Sequence, residues 1–195
     1  MSERCRATRW GVFSAAWALA ASAAFAAAPD SVAWLPAANN GDIDRAFVQA
    51  RSENKPVLLY WGAKWCPPCN QLKATLFNRH DFIERSKSLV AVEIDGDLPG
   101  AQKLGARFKV SGYPTMVLMR ADGAELMRLP GEADAPQVLQ VLEFGLAGGR
   151  AAKDVLADAR AGKPLPGAEW RMLAFYSWIS DESQLRPLPR QGGSG

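Results

Sequence analysis

Cys66 and Cys69, separated by Pro67 and Pro68, are the residues of this 195-residue sequence whose types and spacing best suit covalent chemistry. Disulfide exchange needs a thiolate that attacks, a second thiol that displaces the mixed disulfide, and a geometry that lets the two sulfurs pair without strain. A pair at i and i+3 at the opening of a helix meets all three needs. The first sulfur there faces unpaired backbone N–H groups and the positive end of the helix dipole, which favours its thiolate, while the second sits inside the first turn. The expected roles are therefore attack by Cys66 and resolution by Cys69. Pro67 and Pro68 fix the φ angles that open a helix and hold the spacing rigid, at the cost of leaving fewer backbone donors for Cys66. A structural staple is a poor alternative, because disulfide stabilisation grows with the length of chain enclosed.

Such a pair needs a strand and a helix to hold it, and the sequence supplies both. Val57-Leu58-Leu59-Tyr60-Trp61, bounded by Pro56 and Gly62, is a continuous apolar run of the kind expected for a strand buried on both faces. From Pro67 a helix is expected, with Leu72, Leu76 and Phe77 forming a buried stripe. Before the strand, residues 27–41 read as a loose leading segment, after which Asp42 is positioned to cap a helix presenting Ile43, Ala46, Phe47 and Ala50. After the motif come a helical turn capped by Asp81, a strand over Leu89 to Ile94, a helix from Ala101 to Phe108 and a strand over Thr115 to Met119. Ala121-Asp122-Gly123-Ala124 signals a hairpin returning through Glu125 to Leu129, and a helix opens at Ala135-Pro136 and ends at Gly148-Gly149. Alternating helices and short apolar strands over residues 42–148 predict an α/β domain, a mixed sheet with helices on both sides. Residues 149–186 read as a helical extension rich in aromatics between Trp170 and Trp178, and residues 187–195 as a flexible tail.

Trp61-Gly62-Ala63-Lys64-Trp65-Cys66-Pro67-Pro68-Cys69 resembles the active-site segment of the thioredoxin superfamily, and Gly112-Tyr113-Pro114-Thr115 is similar to that family's second signature. The resemblance covers about residues 42–148 and implies a thioredoxin-like sheet. It further implies a cis peptide bond at Pro114 lying against the cysteine pair, a backbone beside Tyr113 that offers strand-type hydrogen bonds to an extended substrate, and Trp65 as a wall of the site. Two departures stand out. The buried aspartate usual in thioredoxins six positions before the first cysteine is Tyr60 here, and the lysine that accompanies it is missing from Leu89-Val90-Ala91-Val92. Proton transfer to the resolving thiol must then use another group, with water and Glu93 as the candidates. Together with an export signal, the pattern resembles the periplasmic thioredoxin-like branch.

That signal is read in residues 1–26: a basic stretch to Arg9, an alanine-rich apolar run to Ala24, and small residues around Ala24-Phe25-Ala26 where cleavage is expected near Ala26. The run of about 15 apolar residues is shorter than the roughly 20 a membrane-spanning helix needs. Cys5 lies before the run and leaves with it, so the mature chain keeps two cysteines in a compartment where disulfides persist. The net charge of +3 owes most of its excess to Arg4, Arg6 and Arg9, so the basic balance is no argument for nucleic acid.

Metal is not expected. A closed zinc site takes about four ligands, and the one histidine, His80, falls in an expected loop as an exposed or capping residue. Glu93, Asp95 and Asp97 read as turn formers rather than an acid–base pair. The sequence therefore points to an exported thiol-disulfide oxidoreductase, more a reductase than an oxidase or isomerase because no inserted helical domain interrupts the core. It would act on protein thiols and disulfides, be recharged by a membrane redox partner, and use no cofactor beyond the Cys66–Cys69 disulfide. The alternative is a copper-binding or polypeptide-binding module on the same fold, without turnover.

Overall fold

The computed structural model describes residues 31–178 apart from Glu132. Residues 1–26, read as an export signal with cleavage expected near Ala26, and residues 187–195, read as a flexible tail, lie outside the described residues.

Five strands form one sheet: β1 (Leu35–Ala37), β2 (Val57–Gly62), β3 (Val90–Asp95), β4 (Thr115–Met119) and β5 (Glu125–Pro130), in the order β1-β3-β2-β4-β5. β1 and β2 flank β3 in parallel, while β4 runs antiparallel to both β2 and β5. The alternation of β2 divides the core. Leu59 and Trp61 face α1 (Asn40–Glu53) and α4 (Ala101–Arg107), together with Ile43, Phe47, Val92, Ile94 and Leu104. Leu58 and Tyr60 face the other layer, where α2 (Pro67–Leu72), α3 (His80–Ser86) and α5 (Ala135–Leu146) contribute Leu72, Phe82, Val138 and Leu142. A strand covered on both sides has every position buried, as all six residues of β2 are. That burial explains why its sequence reads as an unbroken apolar run.

The predicted mixed sheet with flanking helices is present, with local differences. The leading segment is not wholly loose: Leu35–Ala37 adds an edge strand, too short to show period-two alternation. α1 is capped by Asn39, not Asp42; Asp42 takes the N3 position and closes a capping box by accepting from the Asn39 N–H. α3 starts after Arg79 without a side-chain cap, and Asp81 instead pairs with the Arg79 guanidinium. α2 passes without a break into a π-helical stretch, Lys73–Phe77, which no periodicity argument anticipates.

The extension forms α6 (Ala152–Arg160) and α7 (Gly167–Phe175). Its side chains turn inward. Val155, Met172, Leu173 and Tyr176 join the core layer beneath α5, and Tyr176 stacks on Trp178 with ring centroids 4.3 Å apart. The Ser177 N–H donates to the Arg128 carbonyl at 2.8 Å, so the chain leaving α7 covers part of the open edge of β5. Trp170 stays exposed.

Candidate active site

β2 ends at Gly62 and releases Ala63-Lys64-Trp65 as a turn, closed by the Cys66 N–H donating to the Ala63 carbonyl and by the Asn70 amide donating to the Lys64 carbonyl at 3.1 Å. Cys66 is the N-cap residue of α2, and Pro67 and Pro68 are its first two helical positions. Because neither proline carries an N–H, the cap bond falls to Cys69, whose N–H donates to Cys66 Sγ at 3.3 Å. The two sulfurs form a disulfide with Cα atoms 5.3 Å apart, within the ordinary span of such bonds. Cys69 is fully enclosed, whereas Cys66 retains 3% exposure and is flanked by Trp65, which is 69% exposed. Both cysteines are buried, and Cys66 is the more accessible of the two.

The second signature meets the first. Tyr113 packs against Ala63, Cys66 and Cys69, and the Tyr113–Pro114 bond is cis. The loops beneath are shaped to admit them: a side chain on Gly96 would collide with the Tyr113 ring, and one on Gly131 with the Pro114 ring. Thr115 Oγ1 donates to the Gly112 carbonyl at 2.8 Å and braces the approach to the proline. Ala63, Cys66, Cys69 and Tyr113 thus pack together from two segments far apart in the chain, with Trp65, Pro67, Pro68 and Pro114 as their immediate chain neighbours.

Three supporting residues escaped the sequence reading. Asp97 accepts from the Trp65 indole N–H at 2.8 Å, the Gly96 N–H donates to the Gly62 carbonyl at 2.7 Å, and Asn70 holds the motif turn. Asp95 does act as a turn former, accepting from the Asp97 N–H, but Asp97 also fixes the exposed indole beside Cys66. A loop acid 32 positions away leaves no local signal of such a bond. His80 is exposed at the start of α3, and no three His, Cys, Asp or Glu side chains gather as a metal cluster among the described residues.

The bond predicts a direct readout. In Asp97→Ala the indole Hε1 resonance of Trp65 is expected to move toward the solvent-exposed value and broaden, with melting nearly unchanged because an exposed hydrogen bond contributes only about 1 kcal/mol. An unshifted resonance would show that Asp97 does not hold the ring.

A mixed five-stranded sheet with a cysteine pair at the mouth of the helix after its central strand, and with the tyrosine of a cis Tyr–Pro bond packed on that pair, defines the thioredoxin fold and the thiol-disulfide oxidoreductase class built on it. Residues 43–146 match the family model described as a thioredoxin-like domain, and the chain belongs to that family. It is 34% identical over 103 residues to the thiol:disulfide interchange protein DsbD of Pseudomonas fluorescens, an alignment covering 51% of this chain and 18% of that one. It is also 31% identical over 93 residues to a thioredoxin of Mycolicibacterium smegmatis, covering 48% of this chain and 80% of the relative. Among solved structures, a thioredoxin from Thermus thermophilus superposes with a TM-score of 0.53 at 26% identity, covering 63% of this chain and 93% of that one. The chain thus spans less than a fifth of the DsbD relative and most of the thioredoxins.

Proposed function

We propose that the chain is an exported protein-disulfide reductase that works through Cys66 and Cys69 and is recharged by a membrane redox partner. The observation that carries the reading is the asymmetry of the pair: Cys66 at the N-cap with a backbone N–H aimed at its sulfur, Cys69 buried behind it, and the Tyr113–Pro114 loop against both. In the reduced protein the Cys66 thiolate attacks a substrate disulfide. One substrate thiolate leaves, and a mixed disulfide forms at Cys66. Cys69 then displaces the second substrate sulfur, closing the Cys66–Cys69 disulfide and passing two electrons to the substrate. The pair is itself the redox group and needs no other cofactor. Trp65 and the backbone at Tyr113 flank the reachable sulfur and would hold an extended substrate segment. Pro67 and Pro68 keep the two sulfurs at bonding distance.

Reduction is favoured over oxidation because the chain from β1 to α5 runs without an inserted helical domain. Export rests on the basic, apolar and small-residue sequence of residues 1–26, and interchange chemistry is what the name of the Pseudomonas relative states. No helix among the described residues is long and apolar enough to cross a membrane.

Equilibration of the purified chain with graded dithiol buffers tests the direction. The potential is expected near that of thioredoxin, about −270 mV, rather than the roughly −120 mV of strong thiol oxidants. A potential at the upper end, with net oxidation of substrate thiols, would reverse the assignment. Tight Cu(I) binding without turnover would replace it with a metal-handling one.

A further inference from the structure

α4 ends in a turn that disfavours a side chain. Lys109, the first residue past the cap Phe108, has a φ of +53°, in the left-handed region where glycine normally closes a helix. The Val110 N–H donates to the Gly105 carbonyl at 2.8 Å and the Lys109 N–H to the Ala106 carbonyl at 3.4 Å, the paired bonds of such a closure. A residue other than glycine persists in that conformation where its surroundings over-determine it. Arg128 of β5 supplies the constraint. Its enclosed guanidinium donates to the Phe108 carbonyl at 2.8 Å and to the Lys109 carbonyl at 3.4 Å, acceptors that a helix end leaves to outside donors.

From Lys109 the chain runs directly to Tyr113, which packs against the Ala63, Cys66 and Cys69 cluster. Residues 110–114 are anchored at their far end by β4, where Thr115 pairs with Trp61, and at their near end by the Lys109 turn. The Phe108 ring also lies on Trp61, with centroids 5.4 Å apart. Arg128 is itself held from the other side. Glu125 grips it through two bonds of 2.8 Å, the Tyr176 hydroxyl donates to the same carboxylate at 2.6 Å, and the Ser177 N–H donates to the Arg128 carbonyl at 2.8 Å. Tyr176 and Ser177 follow α7 and lie beyond the residues 43–146 that match the family model. An unbroken path of bonds therefore leads from the C-terminal extension to the start of the segment that carries Tyr113.

We propose that the C-terminal extension positions residues 110–114 for substrate, Tyr176 and Glu125 fixing the Arg128 guanidinium and the guanidinium fixing the turn at Lys109; this rests on the thiol-disulfide reading above. Glu125, Arg128 and Tyr176 are positioning residues, since none belongs to the cluster around the cysteines and each acts through the backbone at Phe108 and Lys109. Freeing the guanidinium lets the strained turn relax. The backbone beside Tyr113 must then be ordered by the substrate, which weakens binding of an extended chain. A small disulfide needs no backbone pairing and reacts with Cys66 as before. An extension that served only to cover the sheet would behave differently, because any loosening of it would have the same effect, whereas positioning singles out the residues on the bond path.

Turnover of an insulin-type disulfide substrate by the full chain, beside stopped-flow reaction of its reduced form with 5,5′-dithiobis(2-nitrobenzoate), reads the two effects apart. In Glu125→Gln the KM for the protein substrate is expected to rise about 5-fold with kcat nearly unchanged, and in Tyr176→Phe about 2-fold. The first release of nitrothiobenzoate, which reports attack by Cys66, stays at the parent rate in both. The Tyr113 ring and amide resonances are expected to move in both variants. Val155→Ala removes apolar packing under α6 and no bond on the path, so it loosens the extension and should keep the parent KM and the parent Tyr113 resonances. Should Glu125→Gln not fold, Tyr176→Phe carries the comparison. The parent KM in the path variants, an unmoved Tyr113, or an equal KM rise in Val155→Ala overturns the proposal and leaves the function standing. A parent chain without turnover overturns the function, and the proposal with it.

Discussion

Cys66→Ser is expected to reduce turnover of an insulin-type disulfide substrate to the uncatalysed background, a loss of at least about 10³-fold, because a serine hydroxyl stays protonated where a thiolate is required. Cys69→Ser should be equally inactive in turnover yet behave differently on the protein. Its Cys66 still attacks but cannot be displaced from within, so a one-to-one mixed disulfide with substrate accumulates and is released by added dithiol. Intact-mass measurement of the two variants after exposure to substrate distinguishes them. The same adduct on both variants would mean that either sulfur can attack, contrary to the difference in enclosure between them.

The expected asymmetry is steric before it is electrostatic. A disulfide presents two sulfurs to an incoming thiolate, and exchange rates depend on which one can be approached in line. Cys69 lies inside the first turn of α2 with no exposure, whereas Cys66 caps the helix and keeps 3%. The cap bond from the Cys69 N–H then favours negative charge on the Cys66 sulfur. Both effects act in the same direction, so replacing Pro67 or Pro68 should disturb the chemistry far less than replacing either cysteine.

How much of this was legible in the sequence depends on how local each signal is. Val57 to Trp61 declared a two-sided strand through its composition, and Cys66-Pro67-Pro68-Cys69 declared a helix mouth through spacing and proline placement; both are where they were expected. The cis bond at Pro114 came through resemblance rather than from any property of the residues. β1 was missed because three residues cannot express a period, and its pairing energy comes wholly from β3. Asn39 rather than Asp42 caps α1 because either acceptor satisfies the local pattern, and the capping box needs both. Asp97 and the register of Glu93 against Tyr60 are products of the assembled sheet, invisible until β3 is laid beside β2. The missing lysine of the family pattern takes on a different meaning there. The position facing Tyr60 holds an acid, and the lysine that neutralises it comes from the helix instead.

The C-terminal extension is tied to the domain by a buried charge, and breaking that tie should give the largest stability loss of any single polar substitution away from the cysteines. Arg128, only 2% exposed, is gripped by Glu125 through two bonds of 2.8 Å and donates to the carbonyls of Phe108 at 2.8 Å and Lys109 at 3.4 Å. The Tyr176 hydroxyl, beyond α7, donates to the same Glu125 carboxylate at 2.6 Å. Glu125→Ala removes the countercharge from an enclosed guanidinium and the acceptor from a buried phenol in one change. Stripping one partner from a buried pair costs about 3–5 kcal/mol, and the 25% exposure of the Glu125 side chain, which admits water, lowers this to roughly 2–4 kcal/mol. For a chain of this size that is a fall of roughly 5–15 °C in Tm. Tyr176→Phe, which loses a single hydrogen bond, should cost about 1 kcal/mol. Asp81→Ala, which breaks the exposed pair with Arg79, should leave Tm nearly unchanged. Calorimetry of the three variants checks the order, and limited proteolysis should cut Glu125→Ala first between α6 and α7. If Glu125→Ala and Asp81→Ala melt together, the Arg128 site is wet rather than buried, and the extension is held by Met172, Leu173 and the Tyr176 ring alone.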